Sequence, residues 1–158
     1  MSRLDPALLA ARWTCGDLLP ENVPGIAVEL IESSQENSAV YRVAAEDRVY
    51  SRDQIEILVQ RLFVALGVSY PMSLEGARQT VAWQIAREVA SGLRDPWTAA
   101  AQLDRVVPHW EAKDENVLAI YLIADEAEWD PGYGRGPSTL QSELIEAFGR
   151  LARSESTG

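Results

Sequence analysis

One cysteine, one histidine, one lysine and no apolar run longer than eight residues: the 158-residue chain is defined first by what it has little of. With Cys15 alone, an internal disulfide and any metal site built from several thiolates are excluded. No histidine lies near Cys15 in sequence, so it reads as a small, partly buried residue near the end of a first helix rather than a reactive thiol. The apolar maximum, Val117 to Ala124, falls far short of the roughly 20 residues a membrane-spanning helix requires. The N-terminal Met-Ser-Arg-Leu-Asp-Pro has an acid at its fifth position and no apolar core of signal-peptide length, which points to the cytoplasm. Lysine is nearly absent because arginine replaces it. Together with abundant Ala, Leu and Val, that bias points to a GC-rich bacterial genome.

Basic residues are also few: 14 against 24 acids, a net charge of −10, and they are spread without clustering. Such a chain repels nucleic-acid phosphates and anionic lipid, so direct nucleic-acid binding and a membrane partner are excluded. The same charge speeds encounter with a basic protein. Most of it sits in one place. Between Glu111 and Asp130 seven carboxylates (Glu111, Asp114, Glu115, Asp125, Glu126, Glu128, Asp130) oppose only Lys113, and they bracket the apolar run. The segment reads as an anchored element with acidic ends.

With 47% hydrophobic and 24% charged residues the composition is globular. No repeat, low-complexity tract or composition shift marks a second domain, so one helical domain over 1–153 with a polar tail over 154–158 is expected. Ser51 and Gln54 fit a capping box ahead of Ile55, Leu58, Val59, Leu62, Phe63 and Leu66, one buried helical stripe that Gly67 stops. Ser73 caps a helix whose Ala77, Val81, Ile85, Ala86 and Val89 share a face before Gly92. Asp95-Pro96 opens another, with Ala99, Ala100, Leu103, Val106 and Val107, closed by Pro108. Pro137 opens the last, with Leu140, Leu144, Ile145, Phe148 and Leu151 on its stripe, and Asp5-Pro6 starts a short first helix. The β-branched segments 26–32, 39–45 and 117–124 are ambiguous. Pro24 and Asp114 or Glu115 fit helix starts ahead of two of them. The fold expected is therefore all-α, a bundle of about six to eight helices. The alternative is α+β, with a small sheet made from those three segments.

The succession Val23-Pro24-Gly25-Ile26-Ala27-Val28-Glu29, then Ile55 through Leu66-Gly67-Val68, then Ile85-Ala86 with Gly92, Asp95-Pro96 and Ala100, resembles a group of small, uncharacterised, all-helical actinobacterial proteins. The resemblance spans about residues 20–150 and rests on helix stripes and caps. It implies a helical fold and no activity.

Catalytic chemistry is poorly supplied. His109 is the sole candidate general base, flanked by Pro108 and Trp110, and its simpler reading is a partly exposed residue in a connection. No G-x-S-x-G or comparable turn presents a serine to it. Asp125 and Glu128, and likewise Glu143 and Glu146, stand at i, i+3, and facing pairs of this kind can hold divalent cations through oxygen ligands. A metal-dependent hydrolase built on these four is the runner-up reading, although the apolar stripe of the last helix turns Glu143 and Glu146 toward water. Gly132-Tyr133-Gly134-Arg135-Gly136 lacks the Lys-Ser/Thr of a phosphate loop and reads as a connection.

Aromatic residues carry more. Trp13, Trp83 and Trp97 fall inside expected helices, whereas Trp110, Trp129 and Tyr133 fall in or beside connections, next to the acids. Aromatic rings rimmed by charge are the composition of an interface hot spot, unless the rings fold back over the bundle ends. Trp83 and Trp97 are also candidates to line a small-molecule pocket. The leading reading is a protein-interaction module without catalytic residues or cofactor, an immunity or accessory protein. Its Trp110, Glu111, Asp125, Glu126, Glu128, Trp129, Asp130 and Tyr133 would meet a basic protein surface.

Overall fold

The computed structural model describes residues 4–129 and 136–155. Among them it is all helical, with eight α-helices, two 3-10 turns and no strand. Within the expected domain, backbone contacts group into two compact units, Met1–Arg78 and Gln79–Gly158.

The first unit holds α1 (Pro6–Thr14), α2 (Val23–Glu32), α3 (Ser38–Ala44), α4 (Arg52–Ala65) and the start of α5 (Leu74–Ala90). Asp5 caps α1 by accepting from the Leu8 N–H at 3.1 Å, with Pro6 at the first helical position. Asn37 caps α3 in the same way through the Val40 N–H. Each such cap is worth about 1 kcal/mol. The β-branched segments 26–32 and 39–45 are α2 and α3, because local starts and stops outweigh residue preference. α1, α4 and α5 end on glycines at positive φ: Gly16 at 81°, Gly67 at 83° and Gly92 at 74°. In each the residue after the glycine donates back to a carbonyl five positions earlier, as Val68 does to Phe63 at 3.0 Å. Ser34 does the same at the end of α2 with φ 67°, a conformation that penalises a Cβ.

The expected capping box at Ser51 does not form. Ser51 stands at the N-cap of α4 without a side-chain bond, and Gln54 reaches one residue further back, accepting from the Tyr50 N–H at 2.9 Å. The stripe of α4 packs as expected through Ile55, Val59, Leu62 and Phe63. Its core partners include Leu9 and Trp13 of α1, Ala27 and Leu30 of α2, and Val40 and Val43 of α3. Arg52 closes the edge of this core. Its guanidinium donates to the Trp13 carbonyl at 2.6 Å, lies 4.0 Å from the centre of the Trp13 ring and pairs with Glu56 at 3.3 Å.

The second unit contains the rest of α5, α6 (Pro96–Val106), α7 (Glu115–Trp129) and α8 (Pro137–Ser154), with a 3-10 turn at His109–Glu111. Asp95 caps α6, its carboxylate accepting from both the backbone N–H and the hydroxyl of Thr98 at 2.9 Å. Those bonds to Thr98 lower the carboxyl below its ordinary range. The apolar run 117–124 is helical and buries Val117, Ile120 and Tyr121 against α6 and α8. α8 supplies Leu140, Leu144, Ala147, Phe148 and Leu151, while Ile145, expected on that stripe, is 39% exposed. Its last residue, Ser154, accepts from the Trp83 indole at 3.2 Å, and Glu155 pairs with Arg87. The helix therefore runs into the expected tail; residues 156–158 lie outside the described range.

Candidate functional site

The acidic edge of the second unit is built by two elements. Pro108 ends the chain's run from α6 and throws it into the 3-10 turn, which projects His109 and Trp110. The second half of α7 then brings Asp125, Glu126, Glu128 and Trp129 past that turn. His109 joins the two. Its backbone N–H donates to Asp104 Oδ1 at 3.0 Å, its ring stacks on Tyr121 at 4.8 Å between centroids, and its Nε2 lies 3.6 Å from Asp125 Oδ2. Nδ1 is 4.0 Å from Asp104 Oδ1. The imidazole is thus bracketed by carboxylates from two helices, at distances that become ion pairs when it is protonated.

Beneath it, Tyr121 is buried and donates its hydroxyl to the Val107 carbonyl at 2.6 Å. Burial first, and the nearby Asp104 charge second, hold this phenol well above its ordinary ionisation range. Tyr121 and Asp125 are four residues apart on α7, so one face of that helix presents both the platform and the acid.

Two tryptophans rise from this edge. Trp110 is 84% exposed and Trp129 is 82% exposed. Neither folds back over the bundle, so the alternative in which these rings cap the helix ends is not what the structure shows. Leu122, 70% exposed, extends the apolar surface two turns back from Trp129 toward the middle of α7. Trp129 lies one turn beyond Asp125, about 6 Å along the axis, so ring and acid share a face. Of the acids expected here, Glu111 and Glu128 are exposed, and Asp125 and Glu126 half-exposed. Asp130 and Tyr133 lie outside the described residues.

As chemistry, the cluster does not assemble a nucleophilic relay, since both imidazole nitrogens face carboxylates rather than a hydroxyl or thiol. The four carboxylates of the hydrolase reading are not gathered either: Glu146 is exposed and pairs with Arg150 at 3.3 Å. Among the described residues no group of three or more His, Cys, Asp or Glu side chains could hold a metal ion. Trp83 and Trp97 do not line one pocket. Their indoles donate to Ser154 and Gln141 respectively, residues thirteen apart on α8 and so about 20 Å from each other. Cys15 caps the end of α1, half-buried, with its thiol at 3.7 Å from the Arg12 carbonyl, and burial pushes its ionisation up.

Asp104 is the residue that sequence reasoning missed. It stands five positions before His109, a spacing that no helical period brings together; only the reversal at Pro108 does. No family model, curated protein or solved structure matches the chain. Among the described residues no helix is long and apolar enough to cross a membrane.

Proposed function

We propose that the protein is a cytoplasmic, non-catalytic interaction module, of the immunity or accessory kind, whose edge at His109–Glu111 and the second half of α7 docks on a basic protein partner. The observation that carries this reading is the pair of tryptophans, each more than four-fifths exposed, standing among carboxylates. A large ring in water is a standing unfavourable term that association removes, and indoles rank among the strongest interface anchors. The surrounding acids select the sign of the partner. Opposite charge on the partner raises the rate of productive encounter, and the self-repulsion of like edges disfavours pairing of two copies through this face.

The test is comparative capture from a lysate of the source organism. The wild-type chain should retain a basic protein that the triple variant Asp125→Lys, Glu126→Lys, Glu128→Lys does not. With that protein purified, its association rate should fall steeply over a roughly tenfold rise in ionic strength, as steering by exposed charges does. Trp110→Ala or Trp129→Ala should shorten the lifetime of the complex about thirtyfold, the loss of about 2 kcal/mol expected at an anchor. A captured partner whose association ignores salt and survives both tryptophan variants would refute the assignment.

A further inference from the structure

Between α3 and α4 of the first unit the surface is lined by cations without a carboxylate among the lining residues. A cleft of about 220 Å³ opens there, lined by Ser38, Ala39 and Arg42 of α3 and by Leu58 and Arg61 of α4. Arg42 shares its charge with Glu46 one turn along α3. Arg61 makes no hydrogen bond or ion pair among the described residues. The sequence explains why: its helical neighbours at i−4, i−3, i+3 and i+4 are Ile57, Leu58, Val64 and Ala65, none of which carries charge. Its fork is therefore open to a partner from outside the helix. Ser38 adds a hydroxyl that likewise has no partner among the described residues.

The larger cleft of the same unit, about 360 Å³ and lined in part by Arg12, Asn22 and Glu29, offers a contrast. There the cation is already held by Asp17 at 3.0 Å, and a second carboxylate shares the wall. It presents no uncompensated cation. The α3–α4 cleft presents one, with a second guanidinium across from it, a hydroxyl donor, and Ala39 and Leu58 as an apolar floor.

We propose that this cleft binds an oxyanion, the carboxylate or phosphate group of a small ligand. The planar fork of Arg61 matches either group in a bidentate manner, Arg42 closes on it from the facing helix, and Ser38 donates to a remaining oxygen. The volume suits a single anionic group with a short apolar extension and is below that of pockets that enclose drug-sized ligands. This site is independent of the acidic edge and stands or falls separately.

The experiment is a titration of the full ¹⁵N-labelled chain with inorganic phosphate and, in a second arm, acetate, at constant ionic strength. The expected result is saturable amide shifts confined to residues 38–42 and 58–61 in at least one arm. Saturation by phosphate alone, by acetate alone or by both supports the site and identifies the oxyanion class. Arg61→Gln keeps helix propensity and should weaken binding at least about tenfold, while Arg61→Lys, with charge but no fork, should fall between. Shifts that fail to saturate in both arms, that spread over the surface, or that persist unchanged in Arg61→Gln would overturn the proposal.

Discussion

The two units treat the same side chain in opposite ways. In the first, Trp13 is wholly buried and Arg52 lies over its ring; in the second, Trp110 and Trp129 stand in water beside carboxylates. The difference is one of neighbours rather than of residue type. Trp13 sits on the inward face of α1 and meets the apolar stripe of α4, so its ring completes a core. Trp110 occupies a turn beyond Pro108 and Trp129 the last position of α7, and both rings are largely exposed. A tryptophan in the first situation holds a fold together. One in the second situation holds nothing until something arrives.

Substitution breaks the contrast most directly. Trp13→Ala should destabilise the first unit by about 4 kcal/mol, the usual cost of deleting a buried large ring, read by urea denaturation. Trp110→Ala and Trp129→Ala should each stay within about 0.5 kcal/mol of the wild type. Equal losses at all three positions would erase the distinction on which the functional reading depends. Acrylamide quenching offers a check without mutation: this neutral quencher should reach the two exposed edge indoles freely and spare Trp13.

A smaller effect sharpens what lies under the edge. The phenol of Tyr121 keeps its proton in the folded chain well beyond the ordinary tyrosine range, because burial and the Asp104 charge both oppose ionisation. Tyrosine in the unfolded chain ionises near about pH 10. Above that point the unfolded state binds fewer protons than the folded one, so the stability due to Tyr121 is full below about pH 10 and declines as pH rises. Tyr121→Phe should lower stability by about 1 kcal/mol at neutral pH, through the lost bond to the Val107 carbonyl, and should flatten the alkaline decline. A parallel decline in both proteins would show that the phenol is not the group concerned. The smallest change is a gain. Ser34→Gly, at φ 67°, should raise the melting midpoint of the first unit by relieving about 0.5–1 kcal/mol of backbone strain.

Much of the helix pattern was legible because its punctuation is local. Asp5-Pro6, Asp95-Pro96, Gly67 and Gly92 start or stop helices through bonds within five residues of themselves, and those bonds form. The β-branched runs in α2, α3 and α7 are helical for the same reason. What eluded the sequence is what depends on chain reversal. The approach of Asp104 to His109 follows from the turn at Pro108, and no periodicity assigns a face to Trp110 in a 3-10 turn. The cleft between α3 and α4 was invisible for a related reason: Arg42 and Arg61 are nineteen residues apart and only the packing of two helices makes them neighbours. At Ser51 the residues of a capping box were present, yet Gln54 chose the Tyr50 N–H, a competition between adjacent donors that spacing alone does not decide.

The chain holds a single imidazole, and that imidazole stacks on a buried phenol at the rim of the acidic edge. It is consequently a native spectroscopic probe: one set of imidazole proton resonances, displaced by the ring current of Tyr121, needing neither label nor sequence assignment. Any molecule that settles on the edge must move that signal, and any molecule that binds elsewhere has no direct way to do so.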